Sequence, residues 1–466
     1  MITPATDPVS SLLKLIKDAA RTLQAGYIEA DGHLPSLDET EPHPLDRKLS
    51  TPEMQEAAQT LEGACAQLCA TLTRPNHTVL NNLFMTGLEP NCARVALTFK
   101  IPDILQETPS GMHVTELSKR CGGVEPSKLA RILRLLSAKH CFREVKRDVF
   151  ANNRLSVQLL AANPLHSMGL HITEDTTEGA SKLAETLADP EWGSSFEIGH
   201  SAWNKATGQP LPMFDYWAKT PGMEKYGERF GIGMLGWGTA VEATAVVSAY
   251  PWANLKADAT VCDFGGGVGA MAIQLARAYP QLHLKLQDLP DRMVQAETVL
   301  WPAECPEAIE ENRIEFKAFD FFVESPIPGC DVYYLKNILH AFSTQNCITI
   351  LKGIRKVMKP DSRVLLHEYI LQTAPDSSID SESDLEKNAK ADMQLKHAPW
   401  PLLGNYGQGR IRQYYLDVSL MVLMNSQERT LAEYSKLAEE AGLQFIKVWD
   451  FGDMGGVELC VRDAAI

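Results

Sequence analysis

Hydrophobic and polar positions repeat with two different periods along the chain, and the period changes near residue 250. Before that point apolar residues recur every three to four positions, as in residues 10–30 and 51–72, which predicts amphipathic helices. After it, short apolar runs of strand length alternate with helical stretches. This alternation is typical of a doubly wound parallel sheet, so we expect a helical first part followed by an α/β second part.

Seven short apolar runs in the second part have the length and composition of strands. The predicted strands are residues 261–263, 282–287, 313–321, 331–336, 363–369, 445–449 and 457–461. The helices predicted among them are residues 272–279, 347–358, 415–424 and 431–441. Residues 373–409 are polar and acidic, then rich in Pro and Gly, which predicts a long loop. Residues 180–250 are helical and aromatic, and they precede the first strand closely enough to cover its end.

A glycine cluster follows the first of these strands, in the letters VCDFGGGVG from Val261 to Gly269. Glycine is needed in such a turn because the backbone takes angles closed to other residues and a ligand can approach the main chain. The spacing does not match the Gly-x-Gly-x-x-Gly of dinucleotide sites, because its last gap is one residue too short. A glycine turn with no ligand is the plain alternative.

Two acids beside this turn indicate the kind of ligand. Asp263 stands at the start of the loop, where it would repel a pyrophosphate but suits an ammonium group. Asp288 ends the second strand, where an acid can accept hydrogen bonds from both ribose hydroxyls. Together these positions favour S-adenosylmethionine (SAM) over NAD.

A small module precedes the α/β part, at residues 90–156. Residues 113–120 and 126–136 read as a helix–turn–helix with Gly122 and Gly123 in the turn, and residues 141–152 as a wing hairpin. The segment is locally basic, so one hypothesis is a DNA-binding regulator that uses Lys and Arg on phosphates. The other is a solvated face on a helix-rich dimerisation module, which the complete cofactor domain that follows favours.

Composition narrows the class of protein. The net charge of −15 argues against general nucleic-acid binding, because phosphate contacts need clustered Lys and Arg. The ten cysteines form no Cys-x-x-Cys pair, so neither a zinc site nor a disulfide framework is indicated. The N-terminus has no basic-then-apolar signal region and no apolar run approaches a membrane span, so we expect a cytoplasmic protein. A length of 466 residues predicts two domains, residues 1–175 and 176–466.

Six ordered segments in residues 200–460 resemble the SAM-dependent O-methyltransferases that act on plant phenolics and on fungal polyketides. They are the segment from FDY at 214 to Met234, DFGGGVG from 263, DLP from 288, DFF from 320, LKNILH from 335 and ERT from 428. The module at 90–156 resembles the dimerisation domain of that family. The resemblance implies a class I SAM-methyltransferase doubly wound sheet with an N-terminal α-helical winged-helix dimerisation domain, assembled as a homodimer.

The resemblance also implies roles for individual residues, and no metal. Those it assigns to SAM are Asp263, Gly265, Gly266 and Gly267 at the methionine end, Asp288 and Leu289 at the ribose, Asp320 and Phe321 at the adenine, and Lys336 at the methionine carboxylate. His340 matches the general base, and Glu368 and Glu428 match the carboxylates that orient it. Imidazole suits this role because it titrates near neutral pH, and a carboxylate on its far nitrogen fixes the tautomer.

One departure from the family pattern keeps a second activity open. The family usually has His-Asp-Trp where this chain has His340-Ala341-Phe342, so one candidate partner of the base is missing. A small set of fungal proteins resembles these methyltransferases but catalyses pericyclic steps, of Alder-ene or hetero-Diels–Alder type, with SAM bound and not consumed. In a pericyclase Lys336 would polarise a substrate carbonyl, whereas in a methyltransferase it would only hold the SAM carboxylate.

Overall fold

The computed structural model describes residues 7–372 and 397–462, so most of the predicted 373–409 loop lies outside the described residues. Two long helices open the chain, α1 (Pro8–Asp31) and α2 (Pro52–Leu72), as the helical periods predict. Asp7 caps the start of α1 through its carboxylate, and Gly32 ends it in a left-handed conformation with φ 73°. Helix α1 packs along α2.

The winged-helix module has the predicted order of elements. Its helices are α3 (Pro75–Val79), α4 (Leu88–Thr98), α5 (Ile101–Gln106), α6 (Val114–Arg120) and α7 (Pro126–Ala138). Its strands are β1 (Met112–His113), β2 (Arg143–Lys146) and β3 (Val149–Ala151), in the antiparallel order β1-β3-β2. The helix–turn–helix and the hairpin are therefore confirmed. Strand β1 was not predicted from the sequence, since two residues are too few to show a period.

Seven helices connect this module to the sheet. They are α8 (Pro164–His171), α9 (Thr177–Ala180), α10 (Leu183–Leu187), α11 (Ala202–Thr207), α12 (Met213–Lys219), α13 (Glu224–Ala240) and α14 (Ala245–Ala249). A π-turn, Ile172–Thr176, joins α8 to α9, so the helical run crosses the predicted domain boundary. In the part of the chain that is described, every helix is too short or too polar to span a bilayer.

A sheet of seven strands forms the second part. The strands are β4 (Thr260–Phe264), β5 (His283–Asp288), β6 (Ile314–Ala318), β7 (Val332–Lys336), β8 (Arg363–Glu368), β11 (Leu443–Phe451) and β12 (Met454–Val461). A separate short pair joins β9 (Ile370–Leu371) to β10 (Arg429–Thr430). The sheet order is β11-β12-β8-β7-β4-β5-β6, and β12 alone runs antiparallel to the other six strands. The chain reverses its direction across the sheet at β4 and β7, where ligands of α/β proteins bind.

Helices cover both faces of this sheet. They are α15 (Ala270–Ala278), α16 (Pro290–Gln295), α17 (Trp301–Glu304), α18 (Pro306–Glu310), α19 (Thr344–Val357) and α21 (Leu431–Glu440). Helix α20 (Ile411–Met424) instead packs against α9 and α11 of the connecting segment. Tyr333 and Leu335 of β7 join one buried cluster, while Val332 and Tyr334 join the cluster on the opposite face. Both faces are apolar because both are buried, which explains why these strands read as continuous hydrophobic runs.

Helix α13 packs against α8 through glycines, and this contact provides a test. A Cβ on Gly236 would lie 2.7 Å from the Cα of Leu165, whereas a Cβ on Gly231 of the same helix would meet nothing within 4 Å. We expect Gly236→Ala to destabilise the protein by about 1–3 kcal/mol, because the backbone of α8 must move. Gly231→Ala is the control and should add up to about 1 kcal/mol of stability through helix propensity. Urea unfolding measures both, and equal effects would contradict this packing.

Candidate active site

The glycine turn after β4 depends on its lack of side chains. Gly265 and Gly267 have φ values of 72° and 61°, in the left-handed region. A Cβ on Gly265 would lie 2.6 Å from Cδ1 of Ile338, and one on Gly266 would lie 2.6 Å from Oδ1 of Asp263. A Cβ on Gly267 would meet nothing within 4 Å. The first two glycines therefore permit close packing, and Gly267 leaves open space where a ligand can approach.

Asp288 holds this turn from the neighbouring strand. Its Oδ2 accepts a hydrogen bond from the Gly267 N–H at 2.7 Å, and its Oδ1 accepts one from the Leu289 N–H at 2.7 Å. The acid at the end of β5 thus stands directly at the glycine turn, as two parallel strands with adjacent carboxyl ends require. The side chain of Leu289 is exposed beside it.

Asp263 is the most unusual carboxylate of this half of the site. It is 3% exposed, and its Oδ2 has no hydrogen-bond partner in the structure. Burial and the negative charge of Asp288 raise the pKa of the Asp263 carboxyl to about 7, although Lys336 opposes them. A buried, unsatisfied acid of this kind fits a ligand that brings a cationic hydrogen-bond donor, as the ammonium of SAM does.

Lys336 stands at the end of β7, between the two halves of the site. Burial lowers the pKa of its ammonium group, while the charges of Glu368 and Asp263 oppose that change. The same lysine therefore interacts electrostatically with the acid beside the glycine turn and with an acid beside the predicted base. Its position fits either predicted role, that of holding a carboxylate or that of donating to a carbonyl.

Aromatic rings form the side of the site next to the glycine turn. Phe321 stacks on Phe264 with ring centroids 5.6 Å apart, and its edge contacts Phe342 at 5.4 Å. Asp320 accepts a hydrogen bond from the Phe322 N–H at 2.9 Å, which fixes the turn that presents these rings. Phe342, from the segment that departs from the family pattern, is thus part of the aromatic wall.

His340 lies in a short helical turn after β7, against two buried glutamates. Its Nδ1 is 2.8 Å from Oε1 of Glu428 and 3.9 Å from Oε2 of Glu368. Burial favours the neutral ring, but the carboxylates of Glu428 and Glu368 outweigh it, so the pKa of His340 is raised. The three predicted residues therefore meet, although they come from segments up to 88 positions apart.

Glu368 also fixes the backbone that carries the histidine. Its Oε1 accepts hydrogen bonds from the N–H groups of Ile338 and Leu339, both at 2.9 Å. Burial raises the pKa of Glu368 to about 7; His340 lowers it and Glu428 raises it. One oxygen of each glutamate, Oε2, has no hydrogen-bond partner. The cluster can thus share a proton among one imidazole and two carboxyl groups.

Two supporting residues were missed at the level of sequence. Arg429 is fully buried, and its guanidinium donates to the carbonyl oxygens of Leu339 and Phe342, both at 2.7 Å, on either side of the base. Asp417 of α20 accepts the Glu428 N–H at 2.8 Å. The available signal for Arg429 was its position within the ERT segment that begins at 428. The cap of α21 is Thr430, which leaves Glu428 free for His340.

Within residues 7–372 and 397–462, two trios of side chains have the geometry to hold a metal ion. His340, Glu368 and Glu428 offer ligand atoms within 4.8 Å of one another, as do Asp31, His33 and His43 near the N-terminus. In the first trio Glu368 already accepts two backbone N–H groups, which suits an orienting carboxylate at least as well as a metal ligand.

The His340–Glu428 contact predicts a measurable pKa effect. We expect the His340 imidazole to titrate above its ordinary value, and Glu428→Gln to lower that pKa, because the imidazolium loses a carboxylate partner while burial continues to disfavour its charge. Glu433→Gln, at the exposed start of α21, is the control and should leave the titration unchanged. NMR titration of the histidine signals measures the pKa of His340 in the wild type, in Glu428→Gln and in Glu433→Gln. The His340→Ala variant identifies which signal belongs to His340. A wild-type pKa at or below the ordinary value would contradict the geometry.

Comparison with known proteins shows which protein family this chain matches in sequence and in structure. The model of the O-methyltransferase dimerisation domain matches residues 82–162, and that of the O-methyltransferase domain matches residues 190–394. A curated protein of Phanerochaete chrysosporium, named 3-O-methyltransferase 2, is 36% identical over 98% of both chains. The structure of the LepI complex with SAM has a TM-score of 0.67 at 19% identity, covering 96% of this chain and 98% of that one.

A second solved structure bears on the alternative activity. The structure titled "A Pericyclic Reaction enzyme" has a TM-score of 0.66 at 18% identity, and it covers 98% of this chain and 100% of that one. At such identities these two structures show the fold alone. The class I SAM-methyltransferase fold and the N-terminal dimerisation domain are therefore confirmed, whereas the fold does not separate methyl transfer from a pericyclic step.

Proposed function

Because the chain belongs to the SAM-dependent O-methyltransferase family, we propose that it methylates a phenolic or enolic hydroxyl of a natural product, polyketide in type, with His340 as the general base. The observation that carries this proposal is the buried contact between His340 and Glu428, at the sheet edge that also bears the glycine turn. The 3-O-methyltransferase 2 of Phanerochaete chrysosporium supports the same class of reaction.

The base cluster supports the proton transfer. When Glu428 binds Nδ1, the other ring nitrogen, Nε2, carries the lone pair that can accept a proton from the acceptor hydroxyl. Glu428 and Glu368 then stabilise the imidazolium that forms, since both are buried against it. Because His340 accepts a proton only in its neutral form, kcat/KM should rise with pH through its raised pKa.

The cofactor residues follow from the same sheet edge. We assign the SAM ammonium to Asp263, the ribose to Asp288 and the methionine carboxylate to Lys336, because the first is a buried acid with one unpartnered oxygen and the last a partly buried cation. The glycine turn of Gly265, Gly266 and Gly267 gives the ligand access to the main chain. Leu289, Asp320 and Phe321 are assigned to the adenosine end. When bound, SAM supplies an electrophilic methyl group.

The partly buried ammonium of Lys336 supports a second candidate, a SAM-bound pericyclase. Lys336 is partly buried and burial lowers its pKa, so a hydrogen bond from its ammonium to a substrate carbonyl would be stronger than one in bulk water. In that reaction the base cluster would have no proton to remove. The two candidates therefore differ in which side chain is indispensable.

Substitution of the two residues separates the candidates. We expect His340→Ala to lower the rate of S-adenosylhomocysteine release with phenolic acceptors by about 10²–10⁴-fold, because the proton acceptor is lost. His283→Ala, on the partly exposed end of β5, is the control and should leave the rate unchanged. The release is measured by chromatography. Parallel assays with EDTA test whether the reaction needs a metal ion. A different result would favour the pericyclase over the transferase. In that result product forms without release of S-adenosylhomocysteine, and this activity is lost in Lys336→Ala but kept in His340→Ala.

We also propose that the protein is a homodimer built on its first domain, residues 1–175, with residues 176–466 as the catalytic domain. An apolar surface supports this, because most of its large side chains are well exposed within one short segment and single chains rarely leave such a patch uncovered. It consists of Leu72, Val79, Leu80, Leu83, Phe84, Met85 and Leu88. It adjoins the start of the region that matches the dimerisation domain, residues 82–162.

The dimer surface is testable by a charge. We expect Phe84→Glu, at a position 68% exposed, to convert the dimer to a monomer, because an unpaired carboxylate would be buried in the interface. Leu187→Glu, at a position 54% exposed on α10, is the control and should remain dimeric. Light scattering at several protein concentrations gives the mass of each variant. A dimeric Phe84→Glu variant with unchanged affinity would place the interface elsewhere.

A further inference from the structure

The cluster of His340, Glu368 and Glu428 has two carboxylate oxygens that its hydrogen bonds leave unused. Glu428 uses Oε1 on the imidazole and Glu368 uses Oε1 on two backbone N–H groups, so Oε2 of each residue has no hydrogen-bond partner. Both glutamate side chains are 0% exposed. Buried carboxylate oxygens without donors are unfavourable, so these two indicate a partner from outside the chain.

The proton of the imidazole cannot satisfy both oxygens. It bonds one acceptor at a time, and Oε1 of Glu428 already lies 2.8 Å from Nδ1 of His340. A divalent metal ion differs from a proton because it takes several ligands at once. The ligand atoms of the three residues lie within 4.8 Å of one another, which is close enough for one ion to contact all of them.

The distances within the cluster suit a small transition-metal ion. Ligands of a tetrahedral zinc ion lie about 2.1 Å from the metal and therefore about 3.4 Å from one another. Nδ1 of His340 is 2.8 Å from Oε1 of Glu428 and 3.9 Å from Oε2 of Glu368, so the two distances lie on either side of that value. Zinc accepts one imidazole nitrogen with two carboxylate oxygens, whereas Mg²⁺ and Ca²⁺ take oxygen ligands.

The surroundings of the cluster also match those of a metal site. Ligating carboxylates are themselves held by hydrogen bonds, and Oε1 of Glu368 is held by the N–H groups of Ile338 and Leu339. The charge of Lys336 opposes a cation here, but one ammonium stands against two carboxylates. The side chain of His340 is 11% exposed while both glutamates are fully buried, so an ion reaches them past the imidazole.

We infer that His340, Glu368 and Glu428 form an inhibitory site for a divalent transition-metal ion such as Zn²⁺. The ion binds Nδ1 of His340 and one oxygen of each glutamate, and a water molecule completes the tetrahedron. The proton on Nδ1 leaves to solvent, and the ring takes one from solvent at Nε2, so it stays neutral. Nε2 then has no lone pair for the proton of an acceptor hydroxyl. This last step rests on the proposed function, whereas the binding of the ion does not.

Binding of Zn²⁺ tests the site without a catalytic assay. The full chain is treated with EDTA, exchanged into metal-free buffer and titrated with Zn²⁺ in competition with a chromophoric chelator. We expect one tight Zn²⁺ per chain, with an affinity that falls at least about tenfold in Glu428→Gln and in His340→Ala, because each variant loses a ligand. His33→Ala is the matched control, since it removes a ligand from the other trio and should leave this affinity unchanged.

Cobalt distinguishes this cluster from thiol ligands, because the chain has ten cysteines. Co²⁺ on nitrogen and oxygen ligands gives visible d–d bands, whereas thiolate ligands add a strong charge-transfer band in the near ultraviolet. We expect the visible bands alone, and their loss in Glu428→Gln, with the melting temperature of each metal-free variant showing that the fold is kept. A thiolate band would overturn the inference. So would a Zn²⁺ affinity that is unchanged in both Glu428→Gln and His340→Ala.

Inhibition is measured on the release of S-adenosylhomocysteine with a phenolic acceptor. We expect Zn²⁺ to stop the release over the concentrations at which it binds, and EDTA to restore the rate. An enzyme that binds Zn²⁺ at this cluster and keeps its rate would overturn the inhibitory role. A chain without transferase activity would contradict the proposed function, while the titration would still decide whether the metal site exists.

Discussion

The buried carboxylate of Glu368 is the constraint on which the active site depends. One of its oxygens accepts the N–H groups of Ile338 and Leu339, which ties the turn after β7 to the end of β8. The other oxygen faces the imidazole of His340 at 3.9 Å. A fully buried carboxylate is unfavourable without donors, so these two hydrogen bonds fix both Glu368 and the turn that carries His340.

The topology of the sheet explains why distant motifs converge. Strands β4, β5, β7 and β8 are parallel neighbours, so the residues at their carboxyl ends, Asp263, Asp288, Lys336 and Glu368, share one edge. Each motif of the sequence consists of a buried strand followed by one polar residue at that edge. The rest of each strand is buried between the two apolar clusters, so the strand ends are where these polar side chains can be placed.

Much of this could be predicted from the sequence, because periods, strand ends and glycine turns are local features. The strands and the winged helix were predicted in that way, whereas the meeting of His340 with both glutamates was implied by the resemblance to the family. The role of Arg429 was not, because a buried guanidinium that holds two carbonyls depends on contacts some 90 residues away in the chain. The contact between α2 and the segment before α20 could not be predicted either, since Arg410 donates to Gln59 across 351 positions and no local period records such a contact.

Charge balance connects the two halves of the site. Three acids, Asp263, Glu368 and Glu428, are buried at this edge against the cations of Lys336 and His340. Burial raises the pKa of Asp263 and that of Glu368 to about 7, and a neighbouring carboxylate adds to each shift, Asp288 for Asp263 and Glu428 for Glu368. The proposed cofactor carries an ammonium, a sulfonium and a carboxylate, so it would bring a net positive charge to these buried acids. That electrostatic contribution would be the same for methyl transfer and for a pericyclic step.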